Sequence, residues 1–293
     1  MRVSTSTNIY LRRPDGRFAS IEESMEQCSK AGYRVMDLNF YDATTFHLEF
    51  MSPTWESWSY KVKDLAEKLG IEFSQGHSSF YNFCEPEKVK DFEYWETSVK
   101  RSVLSAEIIG IPWIVIHAGT SFDAGNDYKE VSFRKNMDYF KEFVTFASEH
   151  NVGLAFENLW DLNIRPQRRY TANAEELMEF VNAIKPYAPN HVGTCWDFEH
   201  ADIMGQDQRK SLTLLGKTLK CTHCSDQTGI NNDHIIPFSG SIDWKEAVHI
   251  LRDIGYEGDF TYEMHRYGMN TPEPLVQDAL KYSLKMGEYI LSL

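Results

Sequence analysis

The sequence has 293 residues, 42% of them hydrophobic and 25% charged, the balance of an ordinary globular protein with chain enough to bury a sizeable core. Its formal net charge of -13 and pI near 5.2 set a repulsive average field against long polyanions, which argues against nucleic acid as a partner. The longest apolar run, Ile108–Ile116, is too short for a membrane span and carries Gly110 and Pro112, and the opening MRVSTSTNIY has no apolar signal core, so no membrane partner and a cytoplasmic location are expected.

Short β-like runs alternate with longer amphipathic patterns along the whole chain. Strands are expected at Val3–Ile9, Arg34–Phe40, Ile71–His77, Trp113–His117, Val152–Glu157, Val192–Asp197, Thr218–His223 and Phe260–Glu263. After the second strand, Trp55, Trp58, Val62, Leu65 and Leu69 recur at three and four, the stripe of a helix that Gly70 stops. After the fourth, Phe133, Met137, Phe140, Val144 and Ala147 repeat the pattern. Asn173 with Glu176, and Asp243 with Glu246, have the spacing of a helix cap and its reciprocal carboxylate. Pro272 suits the start of a final helix running to the C-terminus. No linker-like tract interrupts these units, so one domain over residues 1–293 is expected. Eight βα units predict an α/β fold, a single (β/α)8 TIM barrel. A doubly wound open sheet is the alternative, weakened by the absence of a GxGxxG turn after the first strand.

Five irregularly spaced cysteines do not form a disulfide framework. Cys221 and Cys224 spell CxxC, but on a strand their odd separation points the thiols to opposite faces. A redox or zinc-knuckle role is not expected.

Strand after strand ends in a side chain suited to metal or proton chemistry: His77, His117, Glu157, Asp197, His223 and Glu263. In a barrel these ends converge on one rim, where such folds build active sites. Singly, each would be a satisfied structural group; six in succession point to a site. Three carboxylates in one mouth repel and resist ionisation unless a cation joins them. The mixed set suits one divalent ion, Mn²⁺, Co²⁺, Mg²⁺ or Zn²⁺, and Glu157, Asp197, His223 and Glu263 are the expected ligands. His200, three residues beyond Asp197, is either a capping imidazole or a direct contact to metal or substrate, while Glu199 and Asp202 are expected to face solvent. His234 lies in a polar, glycine-punctuated loop that suits a lid or binding segment. Trp160, Trp196, Phe80 and Tyr81 are either flat faces for a sugar or core packing. His47, His150, His191 and His249 read as partnerless structural or surface residues. Arg165, Arg168 and Arg169, the one tight basic cluster, are either a solvated loop or a grip on an anion.

The segments WDFEHAD, KCTHCSD, DHIIPFSGSIDW and IGYEGDFTYE resemble the xylose-isomerase-like superfamily of metal-dependent TIM barrels, which holds sugar isomerases and epimerases and also endonucleases of the endonuclease IV type. In its epimerase branch the resemblance implies that Glu157, Asp197, His223 and Glu263 bind one divalent metal, a Lewis acid toward a substrate carbonyl and its neighbouring hydroxyl. Glu157 and Glu263 would be the catalytic pair, one taking a proton beside the carbonyl and the other returning it. His77, His117, Trp160, His200 and His234 would contact substrate. The endonuclease branch implies a three-zinc cluster, with His77 and His117 beside Glu157 at the first zinc and His200 and His234 at the third. The aspartate that branch carries two residues before the histidine is Asn232 here, with Asp233 shifted by one. The segment NLWDLNIRPQRRY lacks the arginine pattern expected for a free-ketohexose epimerase, so sugars, sugar phosphates and cyclitols all stay open as substrates. The expected function is therefore a metal-dependent isomerase or epimerase of carbohydrates, with a multi-zinc phosphodiesterase as the alternative. A catalytically idle carbohydrate binder is disfavoured because binding alone needs no acid/base pair. Members of this superfamily often associate through helical faces, which leaves a homo-oligomer open.

Overall fold

The computed structural model describes residues 1–161, 169–229 and 233–293. Eight strands follow one another: β1 Val3–Ser6, β2 Val35–Asn39, β3 Glu72–His77, β4 Trp113–Ile116, β5 Gly153–Glu157, β6 Val192–Asp197, β7 Leu219–His223 and β8 Phe260–Tyr262. All are parallel and neighbour one another in chain order, with β1 also paired to β8. Between β7 and β8 the ring is joined by the Cys224–Tyr262 bridge, where Cys224 N–H donates to Thr261 C=O at 2.8 Å. The expected (β/α)8 barrel is therefore the fold, and the open sheet is not.

Helices cover the outside of the ring, so β2, β5 and β6 are buried on both faces; β5 is an apolar run up to Glu157, whereas β2 alternates Met36 and Leu38 in the apolar cluster with the buried polar Asp37 and Asn39. Outward residues such as Leu38, Ile114, Ile116, Leu154, Phe156 and Trp196 join the main apolar cluster with the helices Trp55–Leu69 and Tyr128–Glu149. Inward residues form a second cluster of Val115, Ala155, Cys195 and Cys221. Each lies two residues before His117, Glu157, Asp197 or His223, so the period of two stacks the titratable layer directly on this small-residue layer. On the other half of the ring the same level is polar: Gln75 donates to Asp37 at 2.8 Å, and Thr261 donates to Gln75 at 3.3 Å.

Local signals act where the sequence puts them. Gly70 closes its helix in the left-handed conformation, φ 65°, which glycine adopts without strain. Asn173 and Asp243 accept the Glu176 and Glu246 amides, and a full reciprocal capping pair forms at Ser20 and Glu23. The expected first strand is shorter than its apolar pattern, because Ser6 caps a 3-10 turn over Thr7–Tyr10. The last helix spans Val276–Ser292, beginning after a short 3-10 turn that follows Pro272. Cys221 and Cys224 belong to the inner and outer clusters respectively, and all five cysteines are free, as the odd spacing requires. Among the described residues no helix is long and apolar enough to cross a membrane.

Candidate metal centre and substrate cavity

Glu157 ends β5 at the centre of the rim, fully buried. One carboxylate oxygen stands 2.8 Å from His117 Nε2 and 3.4 Å from His77 Nε2; the other stands 2.9 Å from His223 Nδ1 and 3.6 Å from His200 Nδ1. Glu263, one residue past β8, lies 3.4 Å from the same His223 nitrogen. Asp197 ends β6, and its Oδ1 accepts the His200 backbone N–H at 2.8 Å, capping the short helix Phe198–Ile203. The Asn158 side chain ties β5 to β6, accepting the Asp197 N–H at 2.7 Å and donating to the Asp197 carbonyl at 2.9 Å.

One ligand atom each from Glu157, Asp197, His223 and Glu263 lies within 4.8 Å of every other. Atoms at about 2.0 to 2.2 Å from a shared cation stand roughly 3 to 4.4 Å apart, so the set is close to coordination spacing. The electrostatics agree. At Glu157 burial opposes ionisation, yet His223 and His117 outweigh it and hold the carboxyl well below its usual range. Burial, reinforced by Glu157 and Glu263, pushes Asp197 well above its usual range, and burial also raises Glu263 against the pull of His223 and His77. Asp197 Oδ2 and His223 Nε2 are buried without a hydrogen bond. A hard divalent cation would complete both deficits, supplying a partner for the orphaned carboxylate oxygen and charge against three crowded carboxylates. A second triplet, His77 with Glu157 and His223, shares two members with the first.

Above this layer opens a cavity of about 360 Å³. Glu157, Glu263, His77, His117, Trp160, His200, His234 and Phe80 all line it, together with Arg169, Asn8, Arg12, Tyr41, Asp42 and His265. Tyr41 and Phe80 stack at 4.4 Å, and Phe80 continues over His117 at 5.0 Å. Burial keeps several imidazoles neutral: His200 falls to about 3, His265 to about 4, and His117 and His234 are also lowered. At His77 burial is outweighed by Glu157, which raises it to about 9.

Several expectations need correction. Glu199 does not face solvent. It is fully buried, accepting the Ser225 hydroxyl at 2.5 Å and the backbone amides of Asp233 and His234 at 2.5 and 3.0 Å. It thereby fixes the return of the long loop and positions His234, whose Nδ1 stands 2.8 Å from the Glu263 carbonyl oxygen. Asp202 is half-buried and accepts from Ser241 at 2.6 Å and from Gln227. Tyr81 bonds Tyr139 at 2.9 Å, and Trp196 donates to Gln208 at 2.7 Å from full burial; both are packing residues and neither lines the cavity. His150, His191 and His249 each have a partner, Glu107, Ser148 and the Leu293 carbonyl. Arg165, Arg168 and Asn232 lie outside the described residues. Asp233 spends its carboxylate on Thr228, at 2.9 and 2.7 Å.

Residues that the sequence reading missed are Asn8, Arg12, Tyr41, Asp42 and His265. Only His265 carried a signal, a second titratable side chain two residues after Glu263. Asp42 is 5% exposed, and burial followed by the charge of Glu263 raises its carboxyl to about 8 in the metal-free protein. The unfolded chain releases that proton near pH 4, so the folded state binds the extra proton between about 4 and about 8 and stability falls as pH rises through this window. Asp42→Asn in chelator-treated protein should flatten the fall, by up to about 1.4 kcal/mol per pH unit. Parallel denaturant titrations at pH 5 and 8 check it; identical slopes for the variant and the natural chain would refute it.

The family model described as xylose isomerase-like TIM barrel matches residues 25–286. The protein y4fM of Sinorhizobium fredii is 25% identical over 199 residues, covering 66% of this chain and 60% of that protein; the match therefore leaves two fifths of that relative's length without a counterpart. A D-psicose 3-epimerase of Enterocloster bolteae is 23% identical over 248 residues, 82% of this chain and 75% of that one. Among solved structures, the IolI protein with a bound zinc atom superposes with a TM-score of 0.77 at 19% identity, covering 100% of this chain and 98% of that one.

Proposed function

The chain belongs to the xylose isomerase-like TIM-barrel family, and we propose that it is a divalent-metal-dependent isomerase or epimerase of a sugar, sugar phosphate or cyclitol. The observation that carries this reading is the pair Glu157 and Glu263, which enter one cavity from strands three places apart around the ring and share His223 beneath it. Glu157, Asp197, His223 and Glu263 are the proposed metal ligands. A bound cation would supply Lewis-acid polarisation of a carbonyl and its neighbouring hydroxyl. One glutamate takes the proton from the carbon beside the carbonyl, and the other returns a proton from the opposite side. Return to the same carbon inverts it, giving epimerisation; return to the neighbouring carbon gives isomerisation. The psicose 3-epimerase among the relatives favours the first outcome.

His117 and His77 hold the outer oxygen of Glu157 and aim its inner oxygen at the centre. His200, His234 and Trp160 are the proposed substrate contacts. Phe80 and Tyr41 present a stacked aromatic wall, suited to the C–H face of a sugar. The alternative, a multi-zinc phosphodiesterase, draws on His77 and His117 beside Glu157. Against it stand the net charge of -13 and Asn232 at the position where that branch carries an aspartate.

Elemental analysis of protein purified without chelator should find about one divalent ion per chain, and incubation with ketoses and keto-cyclitols in D₂O should place deuterium beside the carbonyl of at least one. Two or three zinc ions per chain, with cleavage of abasic DNA and no exchange, would replace this reading with the phosphodiesterase.

A further inference from the structure

Among the described residues, the buried polar atoms that make no hydrogen bond within the protein include Asp197 Oδ2, His223 Nε2, Asn8 Oδ1 and Asp42 Oδ2. The first two belong to the proposed metal centre. Asn8 and Asp42 do not, and both line the cavity above it. Asn8 sits in the 3-10 turn after β1, and Asp42 in the first turn of the helix Phe40–Phe46 after β2. They are 3% and 5% exposed.

Neither side chain is needed where it stands to complete the fold. The helix at Phe40–Phe46 is capped by Asn39, whose side-chain oxygen accepts the Asp42 N–H at 2.9 Å. The Asn8 amide is taken by Ser6 Oγ at 3.4 Å. A buried acceptor without a donor costs about 1 to 3 kcal/mol, and a hydrophobic residue at either position would avoid that cost. Two such unpaired atoms in the wall of one cavity are therefore matched to hydrogen-bonding groups that arrive with a ligand. Hydroxyl groups fit both, because a hydroxyl can donate to the Asn8 oxygen and can either donate to or accept from the Asp42 carboxyl; a carboxylate cannot donate to Asn8. The adjacent Tyr41–Phe80 stack supplies the apolar face that a polyhydroxylated carbon chain or ring also presents.

We propose that Asn8 and Asp42 form a hydroxyl-binding subsite on the β1–β2 side of the cavity, which recognises a polyhydroxylated ligand through hydroxyls away from the reacting carbons. Naming that ligand the substrate rests on the epimerase reading above; the subsite itself rests on binding alone. It orients the ligand so that its hydroxylated end lies toward β1 and β2.

Calorimetric titration of the metal-loaded protein with ketohexoses, a keto-inositol and their single-deoxy analogues tests this. At least one parent compound should bind the natural chain, and Asp42→Ala should weaken it about tenfold. Deleting the one hydroxyl that Asp42 receives should weaken the natural chain by a similar factor and leave Asp42→Ala unmoved, the signature of a direct pair. The thermal midpoint of Asp42→Ala should equal or exceed that of the natural chain, whereas a structural role would lower it. Asn8→Ala, in a different element, repeats the test with its own hydroxyl should Asp42→Ala fold poorly. The proposal is overturned if no parent compound binds the natural chain, or if both variants rank parent and deoxy compounds as the natural chain does. Binding with this hydroxyl dependence but without deuterium exchange would instead overturn the epimerase reading and leave the subsite standing.

Discussion

Replacing Glu157 or Glu263 with Gln should each lower turnover by at least about a thousandfold while leaving the barrel folded. Gln keeps the volume and two hydrogen-bonding positions of Glu but cannot accept a proton from carbon. Glu157 is the harsher case, because both its oxygens are engaged, at 2.8 Å with His117 and 2.9 Å with His223. An amide there can keep its oxygen toward His223, whose protonated form the surrounding carboxylates favour, and turn its N–H toward His117, which burial keeps neutral and able to accept. Folding is spared because the site rests on a layer of Val115, Ala155, Cys195 and Cys221 and is separated by the strands from the helix-packed cluster. With two bases on opposite sides, the variants should also differ. Each should lose deuterium exchange from one epimer more severely than from the other, and the preferred epimer should swap between them. Near-normal turnover in either variant, measured beside an unchanged circular-dichroism spectrum, would sink the two-base mechanism.

The barrel and its titratable rim were legible because they follow from short-range rules. Apolar runs spaced by amphipathic helices give a parallel ring, and the last inward residue of each strand reaches the mouth, which is how His77, Glu157, Asp197 and His223 come together. His117 and Glu263 lie one residue past their strands, and the alternation carries them inward all the same. What escaped detection depends on segments after the strand ends, where no period holds. Asn8 enters the cavity because Ser6 ends β1 early, and Asp42 because Asn39 begins a helix at once. Glu199 looked like a solvent residue because it follows Asp197 in an acidic cluster. Its partners, Ser225 and the amides of Asp233 and His234, are 26 to 35 residues away, and only the folded loop reveals them.

Asp197→Asn should reverse sign with the cation, and that reversal separates a metal ligand from a structural carboxylate. Asp197 Oδ1 caps the His200 amide at 2.8 Å, a bond that the Asn oxygen retains. Oδ2 makes no hydrogen bond in the protein, its nearest ring nitrogen being His200 Nδ1 at 3.5 Å, and the Asn amide would put a donor where a cation needs an acceptor. Affinity for the ion should therefore fall by at least about a hundredfold, a loss that even outer partners of a metal site can cause, and turnover should fall with it. Metal-loaded natural protein gains stability by mass action, about 2.7 kcal/mol at a hundred times the dissociation constant, and the variant should forfeit that gain. After chelation the order changes. Burial and the neighbouring Glu157 and Glu263 hold the Asp197 carboxyl well above its usual range, so at neutral pH the folded state either carries a proton the unfolded chain has released or tolerates a crowded charge. Stability from this group is thus lost as pH rises from about 4, the unfolded value, and the neutral amide removes the loss. The chelated variant should melt at or above the chelated natural chain at pH 7, and below it once Mn²⁺ is restored to both. If the natural chain melts higher by the same margin with and without the ion, Asp197 supports the fold and does not hold a metal.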